Sequence, residues 1–594
     1  MAKKKKEEKY ELSDYQLAII DFVKNGHGNA VIEANAGVGK TYTLVECVKE
    51  IPEDKTILLT AFNNDITTIL KRKTKDFYNV VTHTLHSLGL QMLKRNFPNE
   101  EMKLSEFKYK TYINENVKSL STINTYELSK RKYARYLSNI EAFINFGRCY
   151  LCETVKDLEF IEDRYDISPV ADEKEVALEI LRWGKNNLSE IDYTDMIWLP
   201  NVLNCKPIGM LYDWIFLDEA QDLSICQRNI LLKCRKINTR MVSFGDKNQC
   251  IYAFSSADPE SFDKLKGIPN TISLPLSISY RCARNIVDFA KKIVPSIEAN
   301  DDGRNGEIKY DVQLDDISDG DMVLCRNNAP LMQIYVDFIK QGKKCFIRGK
   351  DIGANLKSIV KRTRAEKLNK SLQEDGLFVR LYDALFDIIN DMVSKYHITY
   401  ADAIQSASVS NRIDTINALE ILSYDINTSD ELIEKIDKIF SDRKKGGISL
   451  STIHKAKGLE ADNVYIACKS LMPSSNAKKD WEIEQEYNLM YVAYTRAKNV
   501  LGFIDESDFK LFGGKVGETV KRLKAIENQV NYVLKKDREK IDINNVFIAD
   551  DIIRHATKIE KPKTEYKVMP MTNEKVTSGV GFGDIFKRRI TKRK

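Results

Sequence analysis

The stretch Ala34-Asn35-Ala36-Gly37-Val38-Gly39-Lys40-Thr41 constrains this chain more than any other feature. It follows the apolar pair Val31-Ile32 and precedes a run of helical periodicity, so it reads as a glycine-bearing loop between a strand and a helix. Backbone N–H groups of such a loop, with the positive end of the helix behind it, attract anionic oxygens. Lys40 is placed to reach the β/γ-phosphates of a nucleotide, and the Thr41 hydroxyl to hold Mg2+. ATP or GTP is therefore the expected ligand, although the first glycine of the usual pattern is Ala34 here. A glycine-rich turn without a ligand is the alternative that the loop alone leaves open.

A chain of 594 residues exceeds one core and implies three to five domains or subdomains. With 43% hydrophobic and 30% charged residues it reads as a soluble globular protein. No run approaches transmembrane length. Lys3 to Lys6 lead into Glu7-Glu8-Lys9 and not into an apolar segment, so no secretory signal is expected and the setting is cytosolic or nucleoid. A net charge of +6 is too mild to identify nucleic-acid binding, so any basic track must be local. Cys149 and Cys152 are the only closely spaced cysteines, and the histidines show no ligand cluster. Buried, reduced thiols are expected, and nucleotide-bound Mg2+ is the only metal.

Short apolar runs alternate with helix-like stretches. Asn29 to Glu33, Thr56 to Ala61, Asn79 to Thr82, Trp214 to Leu217 and Met241 to Phe244 read as buried parallel strands. From about Leu90 to Tyr193 the pattern is helical, an insertion between strands of that sheet. A second series runs through Met322 to Cys325, Lys344 to Ile347, Ile448 to Thr452, Asn463 to Ala467 and Val500 to Ile504, interrupted by helical pattern over 355–445. Val516, Val520, Leu523, Ile526, Val530 and Val533 recur every three or four residues, a helix expected to pack on the second sheet. The fold class is thus α/β, with two parallel sheets and helical insertions.

Trp214 to Leu217 ends in Asp218-Glu219-Ala220-Gln221-Asp222, which puts adjacent carboxylates at the end of an apolar strand, where a parallel sheet delivers residues to a ligand crevice. Asp218 suits Mg2+ and Glu219 suits an attacking water. Phosphoryl transfer needs this pairing, because positioning and charge neutralisation supply most of its catalysis.

Several further runs occur in order: Leu12-Ser13-Asp14-Tyr15-Gln16, Gly245-Asp246-Lys247-Asn248-Gln249-Cys250-Ile251-Tyr252-Ala253-Phe254, Ser279-Tyr280-Arg281, Thr452-Ile453-His454-Lys455-Ala456-Lys457-Gly458-Leu459-Glu460 and Tyr491-Val492-Ala493-Tyr494-Thr495-Arg496-Ala497. With the loop and the carboxylates they resemble the motif set of superfamily 1A DNA helicases, the UvrD, Rep and PcrA group, over roughly residues 10 to 505. Ala61-Phe62-Asn63 and Leu85-His86-Ser87-Leu88-Gly89 resemble more the F-box DNA helicase and phage-encoded branch.

The resemblance implies two RecA-like P-loop domains. The first, 1A, is expected over 1–90 and 195–275, with the helical insertion 1B at 91–194. The second, 2A, is expected over 276–354 and 446–535, with a reduced 2B-like insertion at 355–445 and a C-terminal extension over 536–594. It further implies that Gln16 reads the adenine edge, Tyr280 stacks on the base, Glu460 accepts from the ribose and Gln249 senses the γ-phosphate. Ala36, Gly37, Val38, Gly39, Lys40, Thr41 and Tyr42 complete the nucleotide pocket, while Arg281 and Arg496 bring guanidinium groups to the transferring phosphoryl. Phe62, Asn63, His86, Tyr252, Phe254, Thr452 and His454 are the implied strand contacts. Tyr487 and Asn488 stand where basic residues are common, so family contacts are not transferred to them.

The function so implied is an ATP-dependent helicase or translocase moving 3′ to 5′ on single-stranded DNA and engaging single- to double-strand junctions, in a bacterial or phage-infected cell. A translocase that strips proteins is a related reading. A nucleotide-dependent binding or assembly module, with ATPase indifferent to DNA, is the alternative from another class. Phe582, Ile585 and Phe586 beside the terminal basic run suggest a partner-docking or DNA-holding peptide, against an ordinary disordered basic end.

Overall fold

The computed structural model describes residues 11–61, 64–165, 167–252, 258, 260–440, 446–505 and 516–538. The first sheet begins with β1 (Asn29–Ala34), β2 (Ile57–Ala61) and β3 (Val80–Thr84). A helical region follows, holding the small pair β4 (Lys103–Leu104) and β5 (Glu190–Ile191). The sheet resumes with β6 (Tyr212–Leu217), β7 (Arg235–Gly245) and β8 (Thr271–Leu276). All six strands run parallel in the order β3-β2-β6-β7-β1-β8.

Alternation along the central strands decides what covers each face. Ile57, Leu59, Trp214 and Phe216 bury against Ile19, Val23, Leu44 and Val48 of the flanking helices. Leu58, Ile215 and Leu217 point the other way, into a core shared with the inserted helices through Leu88, Met92, Phe143 and Leu199. The insertion therefore roofs one face of the sheet.

After the short pair β9 (Ile278–Ser279) and β10 (Glu298–Ala299), the second sheet comprises β11 (Glu307–Val312), β12 (Met322–Cys325), β13 (Cys345–Ile347), β14 (Ile448–Thr452), β15 (Ala461–Ala467) and β16 (Ala497–Ile504). Its order is β11-β16-β15-β12-β14-β13, again all parallel. Val323, Ile448 and Leu450 join a core with Leu356, Phe378, Leu385 and Leu432 of the second helical insertion. Met322, Leu324, Val464 and Ile466 face a core that also takes in Ala36 and Ile251 of the first lobe. The seam between the lobes is thus partly apolar.

Three sequence expectations need correction. β3, expected to be buried, is a half-exposed edge strand. The edge strands β8 and β11 went unread because all but one position in each is exposed or half-exposed, which erases the apolar run that marks a central strand. Helix Val516–Arg538, expected on the second sheet, lies against the insertion helices. Asn390 Nδ2 donates to Glu527 Oε1 at 3.0 Å and Gln529 Nε2 to the Ser371 carbonyl at 3.0 Å, while Leu523, Val530 and Val533 enter the shared core. Helix Asn328–Lys340 already covers β12, β13 and β14 there, and helices Ala407–Leu422 and Leu377–Tyr396 pack on it in turn, so the last helix lies against that outer layer. Among the described residues no helix is long and apolar enough to cross a membrane.

Candidate functional site

The phosphate loop leaves β1 and enters helix Lys40–Lys49. Gly37 and Gly39 hold φ of +74° and +79°, a region that costs a residue bearing a Cβ about 1–2 kcal/mol. The first-turn N–H groups of the helix have no intrahelical acceptors and point their partial charge at the loop. Lys40 Nζ lies 2.9 Å from Glu219 Oε1, and Thr41 Oγ1 donates to Asp218 Oδ2 at 3.4 Å. Both acids leave the C-terminal end of β6; Glu219 itself has φ +57°, a strained turn that aims its carboxylate back at Lys40.

Burial opposes the Lys40 charge, but Glu219, Asp218 and Asp246 outweigh it and raise its pKa. Burial and the neighbouring Glu219 charge push Asp218 up, against Lys40. Burial also pushes on Glu219, yet Lys40 and Lys457 prevail and hold it below the usual carboxylate range. The pair is therefore divided into one readily ionised acid and one reluctant one. The Thr41 hydroxyl and Asp218 are hard oxygen donors close together, the set that suits Mg2+ shared with phosphate oxygens.

From Lys40 a chain of contacts crosses to the second lobe. Glu219 Oε2 accepts from Gln221 Nε2 at 2.5 Å, and Gln221 Oε1 accepts from the Asp246 N–H at 3.0 Å. Gln249 Nε2 donates to Asp246 Oδ2 at 2.6 Å, and Gln249 Oε1 accepts from Arg496 Nη2 at 3.2 Å. Arg496 follows helix Asp480–Tyr494 and is fully buried. Burial and the nearby Arg281 charge bring its pKa down to about 9.

Arg281 reaches the loop directly. A Cβ on Gly37 would lie 2.5 Å from Arg281 Cβ, so only glycine permits the approach. The Tyr280 N–H donates to the Gly37 carbonyl at 2.9 Å, and the Tyr280 side chain is 40% exposed beside it. Arg281 Nε donates to Glu460 Oε2 at 2.7 Å, while Lys498 takes the other oxygen at 2.6 Å. Gln16 is occupied differently from the implied adenine contact. Its Oε1 accepts from the Ser13 N–H at 3.1 Å, closing a capping box, and its Nε2 donates to Thr43 Oγ1 at 3.0 Å beside Gly39. Tyr42 is exposed on the first turn of the next helix.

Sequence reasoning overlooked several residues of this seam. Lys457 pairs with Asp222 and donates to the Gln249 carbonyl at 2.7 Å. Asp222 is buried, its Oδ1 has no hydrogen-bond partner among the described residues, and burial pushes its pKa up to about 6 against Lys457. Tyr491 and Asn488 also bond across the seam. Asp222, Lys457 and Tyr491 sit inside runs already singled out, so the signal was present, but only the fold reveals which side chains face each other.

Among the strand contacts implied by sequence, Phe62, Asn63 and Phe254 lie outside the described residues. His86 is half-buried at the start of helix Leu85–Asn96, where burial lowers its pKa against the Asp192 charge. Tyr252 donates its hydroxyl to the His454 carbonyl at 3.0 Å, with Lys457 Nζ 5.0 Å from its ring centroid. His454 is pushed down to about 3 by burial, then by Arg326 and Lys455. Thr452 is buried at the end of β14, which leaves a strand little to touch.

Two parallel α/β lobes with a phosphate loop at their seam define a two-domain P-loop nucleotide-binding architecture. The UvrD/REP helicase N-terminal domain matches residues 16–268, and the UvrD-like helicase C-terminal domain matches 405–507. The chain belongs to the UvrD/REP helicase family. It is 24% identical to F-box DNA helicase protein 1 of Schizosaccharomyces pombe, over 96% of this chain and 65% of that protein. It is 22% identical to ATP-dependent DNA helicase PcrA of Staphylococcus aureus, over 83% of each. ATP-dependent DNA helicase Rep of Buchnera aphidicola is also 22% identical, over 48% of this chain and 42% of that protein. The chain thus spans just under two thirds of the length of the F-box relative.

Proposed function

We propose that this chain is an ATP-dependent DNA motor that moves 3′ to 5′ along single-stranded DNA and separates strands or displaces bound proteins. The observation that carries this reading is the unbroken chain of contacts from Lys40 through Glu219, Gln221, Asp246 and Gln249 to Arg496 of the other lobe. Nucleotide phosphates at Gly37 to Thr41 would compete with Glu219 for Lys40. Because Glu219 is held ionised, the freed carboxylate oxygen can orient a water for attack on the γ-phosphorus. Mg2+ at Thr41 and Asp218 would neutralise phosphate charge. Arg281 and Arg496 supply guanidinium forks from the second lobe, so occupancy draws the lobes together and hydrolysis weakens that attraction. Alternating grip on a strand across the two sheets then becomes stepping.

Polarity, the division into 1A, 1B, 2A and a reduced 2B, and the strand roles of Phe62, Asn63, His86, Tyr252, Phe254, Thr452 and His454 belong to this proposal. So does a cytoplasmic, nucleoid-associated setting in a bacterial or phage-infected cell. The PcrA and Rep names support ATP and DNA as substrates. The test is ATP turnover titrated with single-stranded DNA, with strand separation on 3′-tailed and 5′-tailed duplexes. DNA should raise turnover and only the 3′-tailed duplex should open. Turnover indifferent to DNA would favour an assembly module, and opening of only the 5′-tailed duplex would reverse the direction.

A further inference from the structure

Helix Asp480–Tyr494 touches both lobes and the first helical insertion. At its start, Lys479 Nζ donates to the Asp163 and Arg164 carbonyls at 2.7 and 2.9 Å, and the Arg164 guanidinium lies 4.9 Å from the Trp481 ring centroid. These contacts tie the helix to the end of helix Val155–Tyr165. Two turns on, Asn488 is buried, and its Nδ2 donates to the Cys250 carbonyl at 3.1 Å and approaches the Lys247 carbonyl at 3.4 Å. It thereby spans the short 3-10 turn Lys247–Gln249, which sets the position of Gln249. Three residues later, Tyr491, with no exposed surface, accepts from the Ala36 N–H of the phosphate loop at 3.0 Å. A spacing of three puts both side chains on one helix face. Beyond the helix end, the Thr495 carbonyl and the Arg496 guanidinium meet Arg281 and Gln249.

We propose that this helix links the helical insertion mechanically to the phosphate site, with Asn488 and Tyr491 as positioning residues. Asn488 holds the Gln249 turn, and the Tyr491 hydroxyl holds the phosphate loop through the Ala36 N–H. Both links are neutral, as the seam requires. Arg281 and Arg496 already crowd positive charge there, and Arg281 helps to lower the Arg496 pKa. A further buried cation at position 488 would need its own anionic partner. The amide instead satisfies carbonyls without charge. Whatever shifts the insertion therefore shifts the loop and the Gln249 turn together. The inference rests on the proposed motor function, because it assigns the route by which strand engagement would reach hydrolysis.

The experiment compares the full chain with Tyr491→Phe, Asn488→Ala and Lys479→Ala, reading kcat and KM for ATP with and without single-stranded DNA, nucleotide affinity by fluorescence, and Tm. Tyr491→Phe keeps the ring and loses only the hydroxyl. It should lower DNA-stimulated kcat about 10- to 100-fold, the scale of misplacing a reacting group by about 1 Å, with nucleotide affinity and Tm near wild type. Asn488→Ala should act in the same direction. Lys479→Ala should leave basal turnover intact and reduce DNA stimulation. Wild-type kcat and stimulation in Tyr491→Phe would overturn the proposal, as would losses that merely follow a lowered Tm. If wild-type turnover ignores DNA, the motor reading fails by itself. Tyr491 is then judged on basal kcat at unchanged KM, where no change removes the positioning role too.

Discussion

On the first lobe's face of the seam, Lys40 sits among Asp218, Glu219 and Asp246, and Asp222 draws its cation, Lys457, from the second lobe. On the second lobe's face, Arg281 pairs with Glu460, which Lys498 shares, and Arg496 makes no carboxylate ion pair among the described residues. Arg496 leans on carbonyls, a hydroxyl and the Gln249 amide oxygen. One face carries acid in excess and borrows a lysine across the seam, and the other is built to receive an anion. Desolvation makes such an unmet cation costly, so a polyanion at the seam gains most from the second lobe.

If that asymmetry is right, Arg496→Ala has the largest effect. ATP turnover should fall about 10³- to 10⁵-fold while nucleotide binding, read by fluorescence, persists through the first lobe. A loss below tenfold would place the needed charge elsewhere. Next comes Lys457→Ala, which strips the buried Asp222 of its ion partner and should cost about 3 kcal/mol in urea unfolding. Removing Asp222 as well should restore most of it, and no recovery would mean that the pair does not act as a unit.

Acid should then separate the two faces. Asp222 rises from 3.8 to about 6 on folding, so its contribution is fully present below pH 3.8 and is lost as pH rises through about 6. His454 falls from 6.5 to about 3, so its contribution is present above pH 6.5 and drains away as pH falls towards 3. Between pH 7 and pH 5, acid should strengthen the first through Asp222 and weaken the second through His454 by about 2 kcal/mol. Denaturant midpoints of Asp222→Asn and His454→Asn against wild type at both pH values test this, and changes of the same sign would refute it. The smallest effect is left-handed strain by itself, which Gly37→Ala should exceed. The left-handed backbone costs about 1–2 kcal/mol, and the new Cβ presses on Arg281. Thermal unfolding should register it, whereas Gly320→Ala, with open space around it, should show backbone strain alone.

Local chemistry explains what could be read in advance. Val31-Ile32 before Gly37 and Gly39, and Trp214 to Leu217 before Asp218, are central strands emptying into functional loops, and burial on both faces writes such strands as unbroken apolar runs. β8 and β11 lacked that signature because an edge strand buries little. Thr452 and Tyr252 were read as strand contacts from their motifs, yet one is buried and the other donates its hydroxyl to the opposite lobe. Neither fact is local. Lys457 stood in a run already quoted, but its partner lies 235 positions away.

From the resemblance came the cationic residues at 281 and 496; from residue order alone came the phosphate loop, the paired acids, and the alternation of strands and helices in two sheets. Each depends on neighbours within a few positions, where backbone sterics and side-chain period act. Which groups oppose one another across the seam was settled by the tertiary structure: Asp222 with Lys457, Ala36 with Tyr491, Gly37 with Arg281. Those pairings arise when two cores close on a shared apolar patch, and burial there sets the charge states that no isolated segment would show.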